Sequence, residues 1–128
     1  MSELVLLTKL KTNLVNFLDE LIESFPSEPD FVIFRIFVKD RIPMTDVMDY
    51  IVKNVCPFYE DVKNRNEKVL LENNILFEKF DQNKATKVSY FQKLWKSPNV
   101  DKEDKEVIWK WLQSFIEIGN AYKKLISK

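Results

Sequence analysis

The stretch FVIFRIFV, residues 31–38, decides the fold. Its seven apolar residues are all aromatic or β-branched, the composition of a buried β-strand. A strand needs a partner, however, and no other run in the chain has this character. The residues just before it argue for a helix: Ser27 and Asp30, three positions apart, form a capping-box pattern, and Pro29 is tolerated in a first turn. The segment therefore reads as a buried helix, apolar nearly all round except at Arg35, and the chain as an all-α protein.

The flanking segments agree. From Ser2 to Phe25, Leu6, Leu7, Leu10, Leu14, Phe17, Leu18, Leu21, Ile22 and Phe25 recur at steps of three and four, which predicts one long amphipathic helix that Pro26 ends. After Pro43, Thr45 is an N-cap candidate for a helix carrying Val47, Met48, Ile51, Val52 and Val55 inward, interrupted by Pro57. A further helix is expected from about Phe58 to Glu72, with Tyr59, Val62, Val69 and Leu70 inward. Asn73 and Asn74 break or bend it, residues 75–80 form a short apolar helix or its continuation, and residues 81–87 form a polar loop. Residues 88–96 predict one more short helix with Val88, Phe91, Leu94 and Trp95 on one side.

The last helix has the clearest start. Asp101 is placed to cap it, and Glu103 and Asp104 occupy the first turn, where the helix dipole favours anions. It is expected to run to about Ile126. Trp109 and Trp111 lie two positions apart, a rotation of about 200°, so they cannot share a face. With Ile108 at the centre, Leu112, Phe115, Gly119, Tyr122 and Ile126 fall on one line, and the two indoles border a very wide apolar arc. Such an arc calls for neighbours on more than one side, so this helix is expected to be central. Gly119 sits mid-arc, and a glycine inside a helix costs about 1 kcal/mol against alanine, which points to a close approach by another helix.

Composition bounds the function. A chain of 128 residues, 45% hydrophobic and 31% charged, fits one domain of about six helices, and a single glycine speaks against folds that need glycine turns or phosphate loops. Basic and acidic residues balance at 20 each; residues 1–64 carry 7 basic and 11 acidic groups and residues 65–128 carry 13 and 9. There is no global field to draw in nucleic acid. One cysteine, no Asn-x-Ser/Thr acceptor, no leader-like N-terminus and no long apolar span lead to the expectation of a non-membrane, intracellular protein. With no histidine in the chain, serine or cysteine nucleophiles lack their usual base, and no enzyme activity, metal or cofactor is expected. Cys56 reads as a small core residue. Residues 101–106, DKEDKE, interleave lysines among the acids and lack a calcium-loop glycine, so they read as a solvated helix start.

Two surfaces are candidates for function. The first is the apolar segment itself, with Phe31, Phe34 and Phe37, joined by Trp109, as contact residues toward a protein partner or a second copy, the alternative being that the segment is plain core. The second is a basic patch of Lys87, Lys93, Lys96, Lys102 and Lys105 beside aromatic residues, the ingredients of nucleic-acid binding, against which stands a reading as core aromatics with solvated lysines.

The pattern FLDELIESFPSEPDFVIFRIFVKDRIP (17–43), followed by FQKLW (91–95) and VIWKWLQSFIEIGNAYKKL (107–125), resembles small helical proteins encoded by nucleocytoplasmic large DNA viruses of the phycodnavirus and mimivirus kind. The lysine, asparagine and isoleucine usage suits such an AT-rich genome. The shared positions are apolar and aromatic, so the resemblance implies a viral origin and a common helical core, and it carries over no functional residue. The expected function is a non-enzymatic interaction or assembly protein, such as a minor virion component. The alternative is a regulatory factor that engages transcription machinery or nucleic acid through the lysine-rich half.

Overall fold

The computed structural model of the protein describes residues 2–26, 28–72, 94–98 and 100–127, and among them there are six whole α-helices, a helical stretch at residues 94–96 and no strand. These are α1 (Glu3–Ser24), α2 (Pro29–Ile36), α3 (Met44–Asn54), α4 (Tyr59–Lys63), α5 (Glu67–Glu72) and α6 (Lys102–Ile126). A π-helical turn (Phe37–Arg41) extends α2, and a 3₁₀ turn (Cys56–Phe58) joins α3 to α4. The expected elements at residues 73–93 lie outside the described residues; Leu94, which does not, is buried. No helix among the described residues is long and apolar enough to cross a membrane.

The two long helices form the frame. The Ser2 hydroxyl accepts from the Val5 N–H and starts α1; Phe25 closes it by donating to the Leu21 carbonyl, and Pro26 prevents continuation. At the start of α6, Asp101 and Asp104 form a reciprocal capping box, each side chain accepting from the other's backbone N–H. The helices run antiparallel, because contacts descend α6 as they climb α1. Glu3 meets Tyr122, Asn13 meets Ser114 and Glu20 meets Trp111. Between them Phe17 packs edge-on against Phe115, with ring centroids 5.6 Å apart, and Trp111 stacks on Phe115.

The wide arc of α6 is filled as its width requires. It packs on α1, α3, the 3₁₀ turn and α4, with Ile108, Trp109, Leu112, Phe115, Ile116, Ile118 and Tyr122 buried. Gly119 sits where the 3₁₀ turn presses closest: a Cβ there would lie 2.7 Å from Cys56 Sγ and 3.0 Å from Ile51 Cγ2. The missing side chain therefore marks the contact of α6 with α3 and the turn after it. Ile126 is exposed, beyond the end of the packed arc.

Residues 31–38 are helical, but the helix is not central. It rests chiefly on α1, and a helix with one main neighbour needs only one apolar stripe. Phe31, Phe34 and Val38, at steps of three and four, supply that stripe and are 1%, 2% and 1% exposed, whereas Val32, Ile33 and Ile36 face outward. Burial of each phenyl ring contributes about 1.5–3 kcal/mol. The expected cap also differs: Glu28 is the N-cap and makes no side-chain capping bond, while Ser27 lies outside the described residues. The helix widens into the π turn, where the Ile42 N–H reaches the Phe37 carbonyl. It ends at Ile42, which is extended because the next residue is Pro43.

Two further expectations are corrected. Pro43, not Thr45, caps α3, because its extended backbone lets its carbonyl accept from Asp46 and Val47. The helix expected over residues 58–72 is two helices, broken at Asn64, Arg65 and Asn66.

Replacing Gly119 by alanine adds helix propensity worth about 1 kcal/mol but overpacks the site, at a cost of about 1–3 kcal/mol. Urea denaturation is expected to show Gly119→Ala destabilised by about 1 kcal/mol, and to show a smaller loss in a Cys56→Ala background, which removes the nearer atom.

Candidate functional site

The break between α4 and α5 builds a polar corner tied together by several side-chain hydrogen bonds. Asn66 N–H donates to Asp61 O at 2.8 Å and Arg65 N–H to Val62 O at 3.1 Å, the paired bonds of a Schellman ending. Such an ending places its penultimate residue in the left-handed region, usually as glycine, and here that residue is Arg65 at φ 56°. A left-handed arginine costs about 1–2 kcal/mol relative to right-handed backbone.

The side chain holds that conformation in place. Arg65 Nε donates to Glu106 Oε1 at 3.0 Å and Nη2 to Glu106 Oε2 at 2.8 Å, a bidentate pair. Nη1 donates to the Val62 carbonyl at 2.8 Å and to Gln113 Oε1 at 3.2 Å. The guanidinium carbon also lies 5.9 Å from the centroid of the Trp109 ring. One arginine thus ties the end of α4 to α6. The Arg65 hydrogen bond holds the Glu106 carboxyl below the usual glutamate range, with Lys110 adding to the effect, and the same bond pushes the arginine up.

Around this pair the indole of Trp95 meets Trp109 edge-on at 6.1 Å. Trp95 Nε1 donates to Glu67 Oε1 at 2.7 Å, and Lys105 Nζ lies 5.5 Å from the Trp95 ring centroid. The corner borders an open depression of about 750 Å³. Lys102 and Lys105, members of the expected basic patch, line it together with Arg65, Lys68, Glu67, Glu103 and Glu106, so groups of both signs meet there. Lys96 is exposed, and Lys87 and Lys93 lie outside the described residues.

The candidate contact residues are placed differently from the expectation. Phe31, Phe34 and Trp109 are 1%, 2% and 4% exposed and belong to the core, so they do not face a partner; Phe37 is half-buried. Helical spacing explains it, since the stripe that attaches α2 to α1 takes the largest side chains. The outward face carries Val32, Ile33 and Ile36 instead, at 43%, 44% and 44% exposure. Beside them Arg35 pairs with Asp19 of α1.

Cys56 is half-buried, its Sγ 3.6 Å from the Ile116 carbonyl to which it donates. Burial pushes the thiol up, with Lys123 opposing, so it stays protonated at neutral pH and is a poor nucleophile. The Tyr122 hydroxyl donates to Glu3 Oε1 at 3.1 Å and is likewise raised, first by burial and then by Glu3 and Asp49. Among the described residues no group of three His, Cys, Asp or Glu side chains is placed to hold a metal ion. Asp101 and Asp104 are occupied in their capping box.

Sequence reasoning missed Arg65, Glu106 and Gln113. The available signal was the asparagine on either side of Arg65, since asparagine favours helix ends and tolerates left-handed backbone. Comparison with protein-family models, with curated proteins and with solved structures finds no match.

Because the folded-state carboxyl of Glu106 titrates below its ordinary value near 4.5, its contribution is fully present above that value and is lost as pH falls through the folded one. The stability difference between the natural protein and Glu106→Gln, from urea denaturation, is expected to be constant near neutrality and to shrink on acidification below 4.5. At the left-handed position, Arg65→Gly is expected to be about 1 kcal/mol more stable than Arg65→Ala, since both lose the ion pair and only alanine keeps the strain.

Proposed function

We propose that this chain is a non-enzymatic helical protein that works by protein–protein contact, docking a protein partner or further copies of itself on the outward face of α2. The supporting observation is the apolar strip of Val32, Ile33 and Ile36, each more than two-fifths exposed. Single exposed apolar side chains are ordinary on a protein surface. These three are helical neighbours, with Ile36 three residues after Ile33 and four after Val32, and so form one contiguous patch. The helix beneath is held by Phe31, Phe34 and Val38, so the patch sits on a firm base, as an interface core requires.

The resemblance to large-DNA-virus proteins supports placing this contact inside an infected cell or in a virus particle, as an assembly protein or minor virion component. The absence of histidine and the protonated, hydrogen-bonded state of Cys56 support a role without catalysis. A regulatory role through the lysines has less support, because Glu103 and Glu106 are interleaved with Lys102 and Lys105 and lower the local positive field.

Light scattering over a wide concentration range tests the reading. The natural protein alone, or mixed with its partner, is expected to exceed monomer mass, and Ile33→Asp to stay monomeric with an unchanged circular dichroism spectrum. Phe34→Asp is expected to unfold, since it places a charge in the core. Association that survives Ile33→Asp overturns the proposal.

A further inference from the structure

The outward face of α2 is bounded by charge as well as lined by apolar side chains. Its N-terminal end carries the half-buried acids Glu28 and Asp30 and no basic residue. The π turn at the other end carries Lys39, Asp40 and Arg41, all exposed, two bases against one acid. Arg35, between the two ends, is paired with Asp19 of α1. Acids first and bases last suit the dipole of the helix itself. The same order makes the face complementary to itself, because a second α2 laid across it in the opposite direction sets an acidic end against a basic end at both extremities. Parallel pairing sets acid on acid and base on base.

Helical position sharpens this. At about 100° per residue, Ile36 lies about 40° and Ile33 about 100° from Val32, and Glu28 and Lys39 both fall on the Val32 side of the strip. The strip centres near residue 34, about five positions from Lys39 and about five from the middle of the Glu28 and Asp30 pair. A two-fold axis across the helix at that centre keeps each edge of the strip on its own side. It brings Lys39 of one copy opposite Glu28 of the other, twice, while Val32, Ile33 and Ile36 meet the same strip of the second copy.

We propose that a second copy of this chain occupies the outward face of α2, in an isologous contact whose two α2 helices run antiparallel. This pairing rests on the reading of that face as a contact surface and adds its occupant. The apolar strip supplies the attraction, and the end charges set direction and register. An eight-residue helix is about 12 Å long. One such face per copy falls short of the roughly 1,200–2,000 Å² of a stable interface, so the pair dissociates on dilution.

Sedimentation equilibrium over a wide concentration range tests the pairing, with the fold of each variant checked by circular dichroism. The natural protein is expected to exchange between monomer and dimer. Lys39→Glu and Glu28→Lys each set like charges at both contacts, and each is expected to weaken the dimer about tenfold. The double variant sets opposite charges there again and is expected to regain the natural affinity. The effect of Lys39→Glu is expected to shrink as salt rises. Lys39 lies on the exposed π turn, so its variant and that salt dependence decide the matter alone if Glu28→Lys does not fold. A natural protein that stays monomeric at every concentration overturns the second copy as occupant and leaves the α2 face to a different protein. Association that Ile33→Asp abolishes but neither charge variant moves, or that the double variant does not restore, overturns the antiparallel pairing alone. Association indifferent to Ile33→Asp overturns both the pairing and the α2 reading.

Discussion

The antiparallel seam between α1 and α6 is the interaction on which the rest of the molecule depends. Phe17 packs against both Phe115 and Trp111, with centroid distances of 5.6 and 5.9 Å, while those two rings stack on each other. Polar bonds at Glu3, Asn13 and Glu20 mark the register from one end to the other. Once the seam forms, α6 offers its remaining arc to α3 and α4 and α1 offers its other side to α2. The close approach at Gly119 follows from this division of surfaces, because α3 and the turn after it must reach an α6 already occupied along its opposite flank.

The peripheral position of α2 leaves one of its apolar faces exposed. A helix wedged among several neighbours would have buried all of FVIFRIFV, leaving nothing apolar to offer. Resting chiefly on α1, it buries the two largest side chains of the stripe and turns three branched ones outward. The same division separates roles that composition alone merges: Phe31 and Phe34 anchor the helix, and Val32, Ile33 and Ile36 face outward.

Local strain is concentrated at one point. Arg65 adopts a backbone conformation that suits glycine, and a bidentate partner, a second carbonyl bond and an indole face offset its cost. The chain contains one glycine and spends it on helix packing at position 119. The α4–α5 turn therefore had to be made by a residue whose side chain could hold it from outside, and α6 supplies the acceptor.

The amino-acid sequence by itself determined the helical class, the extents of α1 and α6, the cap at Asp101 and the packing role of Gly119. These depend on periodicity and on capping chemistry, which act within a few residues. Only the tertiary structure decided which face of α2 is buried, where residues 58–72 break, and that Phe31, Phe34 and Trp109 are core. A segment apolar on nearly every side carries no periodic contrast, so its orientation is set by the number of helices that reach it. The turn at Arg65 likewise depends on Glu106, forty-one residues away, and no local pattern records a bond over that separation.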